Sequence, residues 1–252
     1  MIYFVSDIHL GAGDKHQQQR TERAFCRWLD AISKDVTHLY LLGDIFDFWF
    51  EYRRVVPQGF VRVLGRLAEL SDRGVEVVFY TGNHDMWCYD YLERECGMRV
   101  VRAPRVEHIC GKALHLAHGD NMNIHGEPLL KIMNKMFRSS WLRSLFSWII
   151  HPDLALRFGR WWSGKSRKSH NVEKISADRL GYLVDYARDH HAANGDVCAY
   201  IFGHMHFPHR HTEESLDVLF MSDWSGDRAT YITMDENNIL ELKTFDIDET
   251  IS

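Results

Sequence analysis

The chain predicts an α/β fold on three observations: short apolar runs that each end in a polar cluster, helical spacing between those runs, and an ordinary globular composition. Continuous β-branched and aromatic runs read as strands buried on both faces. Ile2-Tyr3-Phe4-Val5 runs into Ser6-Asp7-Ile8-His9, and Leu39 to Leu42 runs into Gly43-Asp44. Val75 to Tyr80 meets Thr81-Gly82-Asn83-His84-Asp85, and Ala113 to Ala117 meets His118-Gly119-Asp120. Val197 to Phe202 meets Gly203-His204-Met205-His206. Between them, Phe25, Trp28, Leu29 and Ile32, then Val61, Leu64, Leu67 and Ala68, recur at helical spacing. Such alternation predicts a mainly parallel sheet flanked by helices, with ligands gathered at the carboxyl ends of the strands. Leu216 to Met221, Ala229 to Met234 and Ile239 to Thr244 follow with short turns. They predict an antiparallel addition or a second sheet packed on the first.

Length and charge bound the possibilities further. The 252 residues suffice for one large domain or two small ones, and the expectation is one domain over 1–252. A net charge of −5 argues against bulk electrostatic binding to nucleic acid. Cys26, Cys88, Cys96, Cys110 and Cys198 lack metal-type spacing and an even count, so they read as thiols in a reducing compartment. The chain opens directly on a strand-like run, without a basic leader, and no run approaches the roughly 20 apolar residues of a membrane span. A cytoplasmic location is the expectation.

One stretch, about 127–170, breaks the pattern. It carries little strand signal, but Leu129, Ile132, Met133, Met136 and Phe137 recur at helical spacing, with Pro128 suited to a first turn. Trp141, Leu142, Leu145, Phe146 and Ile149 do the same. The stretch holds four of the eight tryptophans and nine Lys or Arg against two acids. That local surplus inside an acidic chain predicts a basic, aromatic helical insertion over the catalytic face. A plain helical hairpin with solvated cations would look similar, but the tryptophan density favours adsorption to an anionic lipid surface.

The five polar clusters make sense as one site. Asp7 and His9, one residue apart, project to the same side on leaving a strand, and His204 with His206 repeats that spacing. Asp44 offers two carboxylate oxygens, able to bridge two ions; Asn83 offers a neutral oxygen and His118 an imidazole. Oxygen and nitrogen donors without thiolate suit Mn, Fe or Zn in a catalytic role. Two ions roughly 3.5–4 Å apart can clamp a phosphoryl group for in-line attack by hydroxide. Any one of these motifs alone would be an ordinary turn or cap. Five in chain order are not.

Asp7-Ile8-His9, Gly43-Asp44 with Asp47, Gly82-Asn83-His84-Asp85, His118-Gly119-Asp120 and Gly203-His204-Met205-His206 resemble the calcineurin-like metallophosphoesterase motifs in order and number. The resemblance implies a four-layer α/β sandwich of two sheets flanked by helices, with a helical lid. It implies that Asp7, His9 and His206 hold one ion, that Asp44 bridges, and that Asn83, His118 and His204 hold the second. It also implies that His84 protonates the leaving oxygen or stabilises phosphoryl charge, with Asp47 orienting its ring.

Within that superfamily the chain resembles the UDP-2,3-diacylglucosamine pyrophosphohydrolases of lipid A biosynthesis. The cues are Phe4 to Leu10, Leu41-Leu42-Gly43-Asp44-Ile45-Phe46-Asp47-Phe48-Trp49, the insertion and Met221-Ser222-Asp223-Trp224. The family carries Gly-Asn-Arg-Asp and a Glu where this chain has His84 and Asp47, both of the general phosphoesterase form. The resemblance implies cleavage of a lipid-linked UDP-sugar to UMP and an acylated sugar 1-phosphate, two divalent ions of the manganese type, and a peripheral place on the cytoplasmic face of the inner membrane. It places Lys165, Arg167 and Lys168 where the family keeps basic substrate contacts, and implies neither nucleic acid nor a protein partner; Arg157 is a further cation that could serve the diphosphate. The alternative is a metallophosphoesterase acting on a soluble nucleotide or phosphoprotein. A binding module on a decayed scaffold would have lost ligands, and none is missing. His209 and His211 read as loop residues.

Overall fold

All five apolar runs become strands, divided between two mixed sheets. The computed structural model of the chain describes residues 1–122, 139–172 and 180–248. In chain order the elements are β1 (Ile2–Val5), α1 (Lys15–Ile32), β2 (His38–Leu42), α2 (Val61–Asp72), β3 (Glu76–Tyr80), α3 (Tyr91–Cys96) and β4 (Arg99–Val101). There follow β5 (Arg105–Ile109), β6 (Lys112–Ala117), α4 (Ser140–Ile149), α5 (Pro152–Val172), α6 (Gly181–Ala193), β7 (Val197–Phe202), β8 (His209–Glu213), β9 (Leu216–Phe220), β10 (Arg228–Met234) and β11 (Leu240–Asp246).

The first sheet runs β11-β10-β1-β2-β3-β4, and the second β5-β6-β7-β9-β8. Each has a parallel centre, β1 to β4 in one and β6, β7 and β9 in the other, with antiparallel strands at its margins. The late strands thus take both predicted options. β9 joins the second sheet beside β7, whereas β10 and β11 form a hairpin on the first, beside β1.

Strand alternation explains the layering. Ile2 and Phe4 of β1 face a core between the sheets with Leu114, Leu116, Ile201 and Leu219, while Tyr3 and Val5 face α1 and α2 with Phe25, Trp28 and Leu67. Tyr200 and Phe202 of β7 turn outward onto Leu183, Val184 and Ala187 of α6. Helix, sheet, sheet, helix gives the expected four layers, and both faces of each central strand are buried, which is why those runs show no polar alternation. Helix α1 starts at Asp14, whose carboxylate accepts from Gln17 N at 2.9 Å. Trp224, on the chain leaving β9, wedges edge-on against Phe25 and Trp28 at 5.3 and 5.9 Å.

Within the described residues, the stretch expected to be a helical insertion contains α4 and most of α5. Ser139 caps α4 by accepting from Leu142 N, and Pro152 opens α5. The helical run of Leu129, Ile132, Met133, Met136 and Phe137, with Pro128, lies outside the described residues. Trp148 is 85% exposed and Trp141 68%, with Ile149, Leu154, Phe158 and Trp161 also open to solvent. No helix among the described residues is long and apolar enough to cross a membrane.

Three small elements differ from the expectation. His209 and His211 belong to an edge strand, β8, antiparallel to β9, and not to a loop. Its polar sequence hid it, because an edge strand keeps one margin and much of one face in water and needs little apolar signal. β5 is as polar, and β4 is only three residues long, too short to show a strand pattern although Val100 and Val101 are buried. All five cysteines are free, Cys110 and Cys198 at the surface and the rest buried.

His115 of β6 is 2% exposed, stacked on Tyr200 with ring centroids 5.2 Å apart, its Nε2 3.2 Å from the Tyr186 hydroxyl. Burial, helped by His190, pushes its pKa down from 6.5 to about 4. The unfolded chain therefore takes up a proton that the folded state refuses. Stability is complete above about pH 6.5 and is lost as the pH falls toward 4, by about 2 kcal/mol at pH 5. Urea unfolding at pH 7 and pH 5 should show that loss, and His115→Phe should be flatter by about that amount.

Candidate active site

The carboxyl ends of β1, β2, β3, β6 and β7 converge at one edge of the sandwich, and the chain leaves them in an unusual conformation. Asp7, His9, Asp44, His204 and His206 all have positive φ, between 49° and 67°. Such left-handed backbone costs roughly 1–3 kcal/mol at a non-glycine residue and clusters where side chains must be aimed. Hydrogen bonds across the loops hold it. Asp7 N donates to Gly43 O at 3.1 Å, His9 N to Asp44 O at 3.0 Å and Leu10 N to Ile45 O at 2.9 Å, which continues the β1–β2 pairing past the strands. Gly203 N donates to His118 O at 3.0 Å. Buried Asp85 ties the third loop to the second, its carboxylate accepting from Gly82 N (2.7 Å), Ile45 N (2.8 Å) and Phe46 N (3.3 Å).

Two clusters of expected metal ligands result, with Asp44 beside both, and His84 forms a third such group with His9 and Asp44. Asp7, His9 and His206 present ligand atoms within 4.8 Å of one another, and so do Asp44, His118 and His204. His206 Nε2 lies 3.2 Å from both Asp7 Oδ1 and His9 Nε2. His118 Nε2 lies 3.3 Å from Asp44 Oδ2 and 3.2 Å from Asn83 Oδ1, so Asn83 joins the second group. His9 Nε2 is 3.9 Å from Asp44 Oδ2, which links the groups. All seven residues expected to hold metal therefore meet in one place.

The donor set fits cations. His118 Nδ1 donates to the Leu42 carbonyl at 3.0 Å, an arrangement that leaves Nε2 with its lone pair toward Asp44 and Asn83, both of which also present lone pairs. His9 Nδ1 makes no hydrogen bond although buried. Burial raises the Asp44 carboxyl, but His118 and His84 outweigh it and hold Asp44 well below the usual carboxylate range. Burial likewise opposes a proton on His118, yet Asp44 and then Asp7 lift that imidazole well above its ordinary 6.5. Both shifts express one demand: positive charge at the centre of the cluster.

Glycines make the approach possible. A Cβ on Gly82 would stand 2.1 Å from Asp44 Oδ1 and 2.6 Å from Asp44 N, and one on Gly203 would stand 2.6 Å from Asp7 Oδ2.

His84 sits over the first cluster, its Nε2 3.8 Å from Asp44 Oδ2 and its ring 4.9 Å from that of His9. Its ring is oriented by Asp47, but through the main chain: Nδ1 donates to the Asp47 carbonyl oxygen at 2.8 Å. The Asp47 carboxylate instead accepts from Ser163 Oγ of α5 and lies 3.7 Å from His9 Nδ1. Of the cations expected to face the phosphates, Arg157 is exposed on α5 and makes no hydrogen bond or ion pair with the cluster among the described residues. Lys165, Arg167 and Lys168 fall on the last turns of α5, and their side chains lie outside what is described.

Three participants were not picked out from sequence. Asp223, whose Oδ2 is 3.5 Å from His206 Nδ1, is legible as an acid just past a strand end. Asp85 stands inside a recognised motif, and its carboxylate serves the backbone. Ser163 left no signal, since only the docking of α5 brings it to Asp47.

The model of the calcineurin-like phosphoesterases matches residues 1–208. The chain belongs to that family. It is a metal-dependent hydrolase. Among curated proteins, this phosphoesterase is 37% identical to a protein of Porphyromonas gingivalis named UDP-2,3-diacylglucosamine hydrolase, over 88% of this chain and 90% of the relative. Proteins of the same name from Haemophilus influenzae and Neisseria gonorrhoeae are 26% and 28% identical, over 93% and 92% of this chain and 95% and 93% of those relatives.

Gly82→Ala should drive its methyl into Asp44 without removing any ligand. We expect a drop in turnover of about 100-fold or more, with lower metal content by elemental analysis and a folded protein by circular dichroism. Gly195→Ala, where a Cβ meets nothing within 4 Å, should behave as wild type.

Proposed function

We propose that this phosphoesterase hydrolyses the pyrophosphate of UDP-2,3-diacylglucosamine, releasing UMP and 2,3-diacylglucosamine 1-phosphate, and that residues 1–252 act as one domain with 127–170 as its lid. The observation that carries this reading is an apolar cavity of about 370 Å³ between the body and the insertion, lined by Phe48, the residue after Asp47, among others. Phe48, Phe50 and Trp87 form its floor and Leu145, Phe146 and Ile149 of α4 its wall. The rings of Phe50 and Phe146 lie 5.2 Å apart. Each acyl CH₂ removed from water there contributes about 0.8 kcal/mol, which a soluble nucleotide or phosphoprotein could not exploit. The names of the relatives support the same substrate.

The insertion is fastened to the body at polar points. The Tyr52 hydroxyl donates to the Ile150 carbonyl at 2.9 Å, and the Arg143 guanidinium lies 3.6 Å from the Tyr89 ring centre. Exposed Trp141, Trp148 and Trp161 suit adsorption to the cytoplasmic face of the inner membrane, where a lipid-linked substrate resides.

Asp7, His9 and His206 would hold one divalent ion, Asn83, His118 and His204 the other, and Asp44 both; the oxygen and nitrogen donor set suits manganese. When bound, the pair supplies Lewis-acid charge to the attacked phosphoryl group and lowers the pKa of water. His84 acts on the leaving oxygen. With Nδ1 committed to the Asp47 carbonyl, Nε2 is the nitrogen that faces the cluster, so a proton delivered to the substrate leaves from there. Arg157, Lys165, Arg167 and Lys168 would add positive charge around the diphosphate.

The deciding assay supplies the acylated UDP-sugar and manganese in oxygen-18 water. UMP release is expected, and label in UMP would identify the phosphorus next to uridine as the one attacked. Hydrolysis of soluble nucleotides or a phosphopeptide in preference to the lipid would establish the alternative. His84→Ala should lower kcat by roughly 10²–10⁴-fold with metal content nearly unchanged; a variant that loses its metal would make His84 a ligand. Leu145→Asp and Phe146→Ser should impair hydrolysis of the acylated substrate and spare a small phosphodiester, with melting temperature checked alongside.

A further inference from the structure

Two cavities of opposite chemistry lie on either side of Phe48. One is the apolar chamber under α4. The other, of about 210 Å³, opens between the first turns of α1 and residues 57–60 and reaches Asp47 at its inner end. Helix α5 borders both: Leu156 lines the second cavity and Phe158 the first. Between them Gly159 packs on Phe48 so closely that a Cβ would stand 2.4 Å from the ring. Leu10 and Gly11, directly after His9, form a stretch of the second cavity's wall, so it adjoins the first metal-type cluster.

Its lining is mixed in a way that suits a nucleoside. Phe48 and Phe60 offer flat apolar faces, and Lys15, Gln18, Gln19 and Glu22 offer donors and acceptors along one side. The Gln18 amide nitrogen is already committed to the Gly13 carbonyl at 3.0 Å, leaving its oxygen to accept. The Gln19 and Glu22 side chains, on α1, make no hydrogen bond or ion pair among the described residues, so both can serve a ligand. An amide both donates and accepts, and a carboxylate accepts from a ring N–H. Uracil presents such an edge, an N–H between two carbonyl oxygens. In the apolar chamber the same edge would be stripped of water without partners, which is unfavourable for each group.

We propose that the cavity between α1 and Phe48 is the nucleoside subsite, taking the uracil base between Phe48 and Phe60 with its edge toward Gln19 and Glu22. This rests on the reading of the substrate as a lipid-linked UDP-sugar. Phe48 then separates the two ends of the substrate, base on one side and acyl chains on the other, and the diphosphate passes the cluster between them. Glu22 meets the ring N–H of uracil favourably and the bare ring nitrogen of cytosine unfavourably, so the subsite also selects the base.

Titration calorimetry on the manganese-loaded enzyme tests this, with UMP, CMP and inorganic phosphate as probes and Gln19→Ala and Glu22→Ala as variants. Both side chains sit on the solvent side of α1, and melting temperature controls for folding. Wild type should bind UMP more tightly than CMP. Each variant should weaken UMP about tenfold while changing phosphate affinity by no more than about twofold. Folded variants that keep wild-type UMP affinity overturn the subsite, as does equal loss for UMP and phosphate. Turnover of the acylated UDP-sugar by wild type is measured in parallel. If that substrate is not cleaved but the variants still weaken UMP selectively, the subsite stands and the substrate assignment fails. If it is cleaved and the variants leave its KM unchanged, the assignment stands and the subsite fails.

Discussion

Two carboxylates, Asp7 and Asp44, are buried at 0% and 1% exposure among histidines whose lone pairs point at the same small volume. Groups of this kind cannot share a dry site without a positive charge between them, because burial penalises each charge and like charges add to the penalty. The histidines offset that penalty through their protons or leave it to bound cations. The surrounding fold can be understood as the device that holds these groups together. The left-handed turns aim the side chains, the loop-to-loop hydrogen bonds hold the turns, and Gly82 and Gly203 let the backbones come close enough. None of these features stabilises the sandwich for its own sake; several work against it and persist because two well-packed sheets and their helices outweigh them.

The sandwich meets that requirement by symmetry of construction. Each sheet has parallel central strands that end at the same edge, so two sheets deliver five loops to one line of contact. The core between them, Phe4, Leu42, Val78, Leu116 and Ile201 among others, sets the distance at which β1 to β3 meet β6 and β7. A change of volume there shifts one half of the ligand set against the other. Protein interiors are dense enough that such shifts propagate. The insertion adds what the sandwich lacks. A metal cluster grips a phosphate but says little about what the phosphate is attached to. Phe48, Phe50 and Trp87 extend from the body, and α4 and α5 close over them with apolar side chains. The metal-type cluster and the insertion thus belong to separate regions of the chain that meet at Phe48 and at the Ser163–Asp47 hydrogen bond.

Much of this was legible in the sequence, and the reasons are specific. A doubly buried strand must be apolar throughout, so β1, β2, β3, β6 and β7 announced themselves, and the polar residue ending each run marked where it leaves the core. Asp7, His9, Asp44, Asn83, His118, His204 and His206 were found in this way, and the resemblance of their motifs to a known family supplied which atoms go together. Edge strands were another matter. β8, with His209 and His211, pairs through its backbone while its side chains remain largely polar, and backbone pairing leaves no mark on residue type. Asp47 illustrates a subtler limit. The resemblance implied a carboxylate orienting His84, whereas the Asp47 carbonyl accepts from that ring, and every residue possesses a carbonyl.

By itself, the sequence determined the fold class, the helical spacing realised in α4 and the identity of the metal-binding candidates, because burial, periodicity and donor chemistry are properties of residue types in order. Only the tertiary structure decided how the late strands divide between two sheets, how Asp44 comes to lie beside both clusters, and how α5 meets Phe48 to separate the two cavities. Those outcomes depend on distances between segments far apart in the chain, such as the 197 residues separating Asp7 from His204. Nothing local encodes such a distance. It is set by the whole core packing to a single density, and it exists only once the two sheets have closed on each other.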